Sequence, residues 1–272
     1  MRLFKQFGAV AVVALVGSQC VTAVRASPWL ALILGLATAV LTVLTYRWVV
    51  RRTEHRMPVE VAPRGAGAAI GRGVLIGISM CVGVIVTIAV LGGYRVDGLG
   101  SVTATIGLLG LMAGAAVTEE VVFRGVLFRI VEERAGTWFA LVLTGVVFGL
   151  VHLINPHASL WGAIAIAVEA GFMLAAAYAA TRTLWMPIGL HFGWNVALGG
   201  IFGAEVSGNG TSKGLLDAAF PGPAVLTGGD FGPEGSIVTV AAGVLLTVAF
   251  LWLARRRGHI VPRRRRAVTL AR

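Results

Sequence analysis

Six ionisable residues lie inside apolar runs of this chain: Glu119, Glu120, Arg124, His152, Glu169 and His191, with Asn195 as a neutral companion. An ionisable side chain at the bilayer centre costs about 2.5–3.5 kcal/mol even on a lenient insertion scale, so each asks for a function. Glu120 and Arg124 are four apart and can pair on one helix face, largely neutralising each other. Glu119 is turned about 100° from its neighbour, so the pair does not cover it. It needs a proton, a cation or a polar partner from another helix. His191 and Asn195 share a face at four-residue spacing, and an Asn one turn from a His suits a developing oxyanion. A purely structural reading exists for each: a register-fixing pair, an interfacial histidine, and interhelical hydrogen bonds worth about 0.6 kcal/mol. Taken jointly, a free carboxylate and two imidazoles on three runs point to hydrolysis of an acyl bond. They match the ligands of a catalytic zinc with an open position for water. Equally, Glu119 can act as general base, with the histidines and Asn195 donating to the oxyanion.

These residues belong to a chain of 272 residues that is 57% hydrophobic and 13% charged. Its mean hydropathy is +0.86. Ordinary soluble domains are about 45–50% apolar and about 25% charged. A soluble enzyme, a disordered chain and a coiled coil are therefore excluded. The expected fold class is all-α, a polytopic transmembrane helical bundle of about eight spans forming a single membrane domain over 1–272. The apolar runs are roughly 7–24, 27–48, 73–93, 103–128, 137–154, 159–180, 184–203 and 236–254. The first begins after Met1–Lys5 and resembles a signal peptide; two retained spans in a hairpin fit better, because the next run starts at once. Cys20 and Cys81 both fall in apolar runs and make no disulfide framework.

With eight spans both termini share a side. That side collects all 23 basic residues except Arg25, Arg95, Lys213 and Arg124. The bias places both termini in the cytoplasm of a multi-pass plasma-membrane protein. The net charge of +11 thus records topology and contact with the lipid bilayer, with no nucleic-acid partner implied. A basic connector spans 49–72, a basic cytoplasmic tail 255–272, and a Gly- and Pro-rich extracytoplasmic loop 204–235, expected as a solvated loop rather than a lid. Other membrane chemistries fail on inventory. Five histidines are too few for a di-iron oxygenase, and H-E-x-x-H, D-D-x-x-D and a Gly-flanked serine are absent.

At the same residues the sequence resembles the CAAX prenyl protease and bacteriocin-processing (CPBP, or ABI) intramembrane endopeptidases. The family's E-E-x-x-x-R is similar to Glu119, Glu120 and Arg124, its F-x-x-x-H to Phe148 and His152, and its H-x-x-x-N to His191 and Asn195. Gly171 to Asn195, with Thr181, Leu184, Trp185 and Pro187, resembles the approach to the last motif. The likeness covers about 103–200, the CPBP-like catalytic core.

The resemblance implies an endopeptidase, often classed as a metalloprotease, acting on peptide or protein substrates at the membrane. Glu119 would activate the water, His152 and His191 would assist it or bind zinc with it, and Asn195 would hold the oxyanion. Glu120, Arg124 and Phe148 would support them. The alternative is a non-catalytic scaffold, immunity or transport protein in which the polar cluster ties helices together. One expectation conflicts with the catalytic reading. Counted from Thr103, Glu119 lies about 24 Å down its helix from the outer side, whereas His152 lies about 22 Å up from the inner side. Glu169 has no basic partner nearby and no place in the motifs; of two readings, a protonated packing residue or part of the cavity, the first is favoured.

Overall fold

A computed structural model describes residues 1–210 and 213–263. The second half of the expected basic tail 255–272, including Arg264–Arg266 and Arg272, lies outside the described residues. Four helices account for the first half of the chain: α1 (Arg2–Ala23), α2 (Pro28–Glu54), α3 (Ala66–Val90) and α4 (Val102–Ala135). After them come α5 (Thr137–Ile154), α6 (Leu160–Thr181), α7 (185–201) and α8 (Ile237–Arg256). Among the described residues, seven of these are long and apolar enough to cross a membrane. The exception is α7, which is shorter and buried along most of its length. The first two helices form the expected hairpin, α2 opening with Pro28 at a position where a missing N–H costs nothing. A two-stranded antiparallel ribbon, β1 (Arg95–Leu99) with β2 (Leu216–Ala219), is the only sheet among the described residues.

Local chemistry sets the helix ends. Ser101, Ser159 and Ser236 each accept a backbone N–H in the first turn of α4, α6 and α8. Between α4 and α5 there is a single residue, Gly136, at φ +83°. A side chain there would also meet the backbone of Val261, Pro262 and Arg263, so only glycine allows this tight reversal.

Helix α7 is held by close backbone contact with α3. A methyl added to Gly77 would fall 2.2 Å from the Leu190 carbonyl oxygen, and one on Gly193 would fall 2.5 Å from that of Val74. Gly73 and Gly189 make the same approach one turn away. Two G-x-x-x-G faces thus meet, the small-residue device by which membrane helices associate without a hydrophobic drive.

Chain ends gather on one face. Glu54 accepts from Gln6, Arg56 and Arg129, joining α1, α2 and α4. Glu132, near the end of α4, accepts from Arg182 at 2.5 Å, and His259 offers its carbonyl to the same guanidinium. Glu60, in the connector after α2, is 2% exposed and takes two hydrogen bonds from Arg56 at 2.8 and 2.9 Å. Burial alone would raise its carboxyl pKa, but Arg56 and Tyr46 outweigh this and hold it below the ordinary glutamate value.

Candidate active site

Three helices carry wide π-type turns: 121–128 in α4, 167–172 in α6 and 196–201 in α7. Each begins next to, or contains, a polar residue singled out by the sequence: Glu119 and Glu120 precede the first, Glu169 lies in the second, and Asn195 precedes the third. Such turns recur at functional sites because they change the phase of the helix and free backbone groups.

Glu120 is fully buried, and its Oε1 accepts from Arg124 at 2.8 Å, confirming the intrahelical pair. The same oxygen lies 3.0 Å from Nδ1 of His191. Since a carboxylate oxygen only accepts, Nδ1 carries the proton, and Nε2 is left facing the cavity. That nitrogen stands 3.9 Å from Oε2 of Glu119. Oε2 has no hydrogen-bond partner among the described residues. Arg124 is anchored from the other side, where its Nη2 donates to the Gly171 carbonyl at 3.0 Å within the wide turn of α6. Its guanidinium also stacks over the Phe148 ring at 4.7 Å.

Phe148 is the hub of the aromatic packing. Its ring lies 5.0 Å from Phe123, 4.9 Å from His152 and 6.2 Å from His191. The Nδ1–H of His152 donates to the Phe148 carbonyl at 2.6 Å, which likewise leaves Nε2 free. The two carboxylate-motif residues and His152 therefore lie at one level, although the sequence placed them at opposite depths. The reason is the length of α4. It runs to Ala135, not to about 128, so Glu119 and Glu120 are 17 and 16 residues before the Gly136 reversal and His152 is 16 residues beyond it. Near-equal counts in antiparallel helices give near-equal heights.

Glu119, His152, His191 and Asn195 all line a cavity of about 1160 Å³. Arg25, Pro28, Ser101, Asn155, Ser207 and Lys213 also line it, all on the face opposite the chain ends. A narrower cleft of about 230 Å³ between α1, α2 and α4 also reaches Glu119.

Two acids missed by the motifs share the wall. Glu169 is 1% exposed and lines the cavity, with both carboxyl oxygens lacking a hydrogen-bond partner among the described residues. It is buried as expected, but it is cavity wall rather than inert packing. Glu234 comes from the 204–235 loop. Its Oε1 accepts from the Trp194 indole at 2.9 Å, and its Oε2 accepts from the Ser207 hydroxyl at 3.0 Å and from the Ser207 amide. Burial pushes its carboxyl pKa up, with the Trp194 and Ser207 bonds opposing. The loop is thus no plain solvated connector: Phe231 and Glu234 are buried against the bundle. An acid in a Gly- and Pro-rich loop carries no sequence signal of such a contact.

The donor types suit zinc, with each imidazole fixed through Nδ1 and offering Nε2. Their placement does not: among the described residues, no three His, Cys, Asp or Glu side chains stand together as a metal-ligand group.

Residues 101–197 match the family model described as "Type II CAAX prenyl endopeptidase Rce1-like". The chain is also similar to the Bacillus subtilis (strain 168) protein named "Putative membrane peptidase YdiL", at 34% identity over 79 residues. That match spans 29% of this chain and 30% of the relative. No solved structure matches the chain. Within the helical bundle, the segment that carries the buried acid–imidazole cluster is thus similar to CAAX-type membrane peptidases over residues 101–197.

Proposed function

We propose that the protein is a membrane endopeptidase that hydrolyses a peptide bond with a water activated by Glu119. The observation that carries this reading is the convergence of Glu119, His191, His152 and Asn195 on one cavity. The unpartnered Oε2 of Glu119 takes a proton from water while the oxygen attacks the scissile carbonyl. Negative charge then develops on the former carbonyl oxygen, where the side-chain amide of Asn195 is its donor. Collapse breaks the C–N bond, and the proton held by Glu119 passes to the leaving amine. Water and one peptide yield an acid and an amine. Glu120 is a positioning residue, since it fixes the tautomer and orientation of His191.

The cavity opens on the face opposite the basic chain ends. With those ends cytoplasmic, the substrate is the extracytoplasmic side of a membrane-proximal peptide. Cleavage of such a peptide by purified, reconstituted protein tests the reading. Glu119→Ala, His152→Ala and His191→Ala should each reduce turnover by roughly a hundredfold or more with the protein still inserted. Full activity in any one of them removes that residue from the mechanism. If the triple variant kept the protein's cellular effect, the non-catalytic alternative would stand instead.

A further inference from the structure

Glu169 has no task in the hydrolysis just described. It lies on α6, the helix whose Gly171 carbonyl anchors Arg124, and it is one of the residues lining the cavity. Glu234, also in that wall, has both oxygens engaged by Trp194 and Ser207. Glu169 is 1% exposed, and neither of its oxygens has a hydrogen-bond partner among the described residues. Helix α8 closes its other side, because a methyl on Gly243 would fall 2.4 Å from the Glu169 Cα. The carboxyl group therefore cannot retreat from the cavity by shifting its helix. The cationic side chains lining the same space, Arg25 and Lys213, come from the α1–α2 turn and the 204–235 loop. They belong to its mouth.

A charged group removed from water is costly unless it is paired, and an acid with two open acceptors is half of a pair. Resting on the endopeptidase reading, we propose that Glu169 forms a substrate subsite for a basic group of the peptide, a lysine or arginine side chain near the scissile bond. A cationic head entering the cavity would fill both open oxygens of Glu169, and its aliphatic stem would lie along Ile166, Met173 and Leu174, which line the same wall. A purely apolar peptide would leave the acid unpaired, so selectivity arises from the penalty on the wrong substrate as well as from the new contact.

The test separates binding from cleavage. Fluorescent peptides are titrated onto full-length protein carrying Glu119→Ala, so that nothing is turned over. Three peptides form a series in which each step changes one group: an internal lysine with an acetylated N-terminus, norleucine at that position with the same cap, and norleucine with a free N-terminal amine. We expect the lysine peptide to bind roughly tenfold or more tightly than the capped norleucine peptide. Adding Glu169→Gln should bring that ratio close to one. Tight binding of the third peptide alone would assign the site to a terminal amine and overturn the side-chain proposal. Equal binding of lysine and norleucine peptides by the Glu169 protein, or a preference that survives Glu169→Gln, overturns it as well. If the preference is found but the protein without the Glu119 substitution does not cut the lysine peptide, the subsite stands and the endopeptidase reading falls.

Discussion

Oε1 of Glu120 lies 3.0 Å from Nδ1 of His191, and that one oxygen also serves Arg124 at 2.8 Å. The second acid of the E-E pair thus ties two motifs together, while the first faces the open cavity. Glu119→Gln should abolish cleavage with little change in apparent Tm. Glu120→Gln should do both kinds of damage, since it leaves the buried Arg124 without its counter-charge. Removing one partner of a buried pair costs about 3–5 kcal/mol. Parallel thermal unfolding and kcat measurements on the two variants check this; equal Tm losses would show that Glu119 is structural too.

The backbone contact between α3 and α7 should be intolerant of any side chain. Gly77→Ala places a methyl 2.2 Å from the Leu190 carbonyl oxygen, the residue just before His191. Overpacking of this kind costs about 1–3 kcal/mol. We expect lower Tm and a raised KM or reduced kcat together. Gly83→Ala, on the same helix but with open space around it, should leave both unchanged and serves as the control.

Acid should loosen the face that carries the chain ends. Glu60 has a folded-state pKa below the ordinary glutamate value of 4.5. A depressed carboxylate contributes stability that is complete above the unfolded value and is lost as pH falls through the folded one. Apparent Tm should therefore be flat from neutral pH down to about pH 5 and decline below it. Glu60→Gln should start lower and show a shallower decline; an identical pH profile would remove Glu60 from the account.

Chelation separates the two hydrolytic schemes. With no three candidate ligands standing together among the described residues, cleavage should survive prolonged treatment with a strong chelator, and purified protein should carry less than one equivalent of metal. Loss of activity restored by zinc, together with one bound equivalent, would show that the ligands close around the ion.

Much of this site was legible from the sequence because charge is expensive in a bilayer. Glu119, Glu120, Arg124, His152, His191 and Asn195 stand out against apolar surroundings, and all lie in or against the same cluster. Their relative height was not legible. It depends on where α4 ends, and the polar stretch Arg129–Arg134 looks like loop although it continues the helix to Gly136. Polar side chains there bind Gln6, Glu54 and Arg182 of other elements, so helix is retained without apolar periodicity. The burial of α7 rests on paired glycines at 73, 77, 189 and 193, a signal present in the sequence but meaningful only once the two helices are seen to face each other. Glu234 gave no signal at all, since its partners lie 40 and 27 positions away.

The wide turn at 121–128 also has a genetic corollary. A π-type turn holds one residue more than a regular helix would need over the same rise. Deleting one residue there, such as Val122, would let the helix close into ordinary α geometry without shortening its span much. The half bearing Glu119 and Glu120 and the half bearing Arg124 would keep nearly their present phase, because the lost residue is the extra one that the wide turn absorbs. A codon lost from the regular turns of α4 between Ser101 and Glu119 would instead swing the two stretches of helix by about 100° against each other.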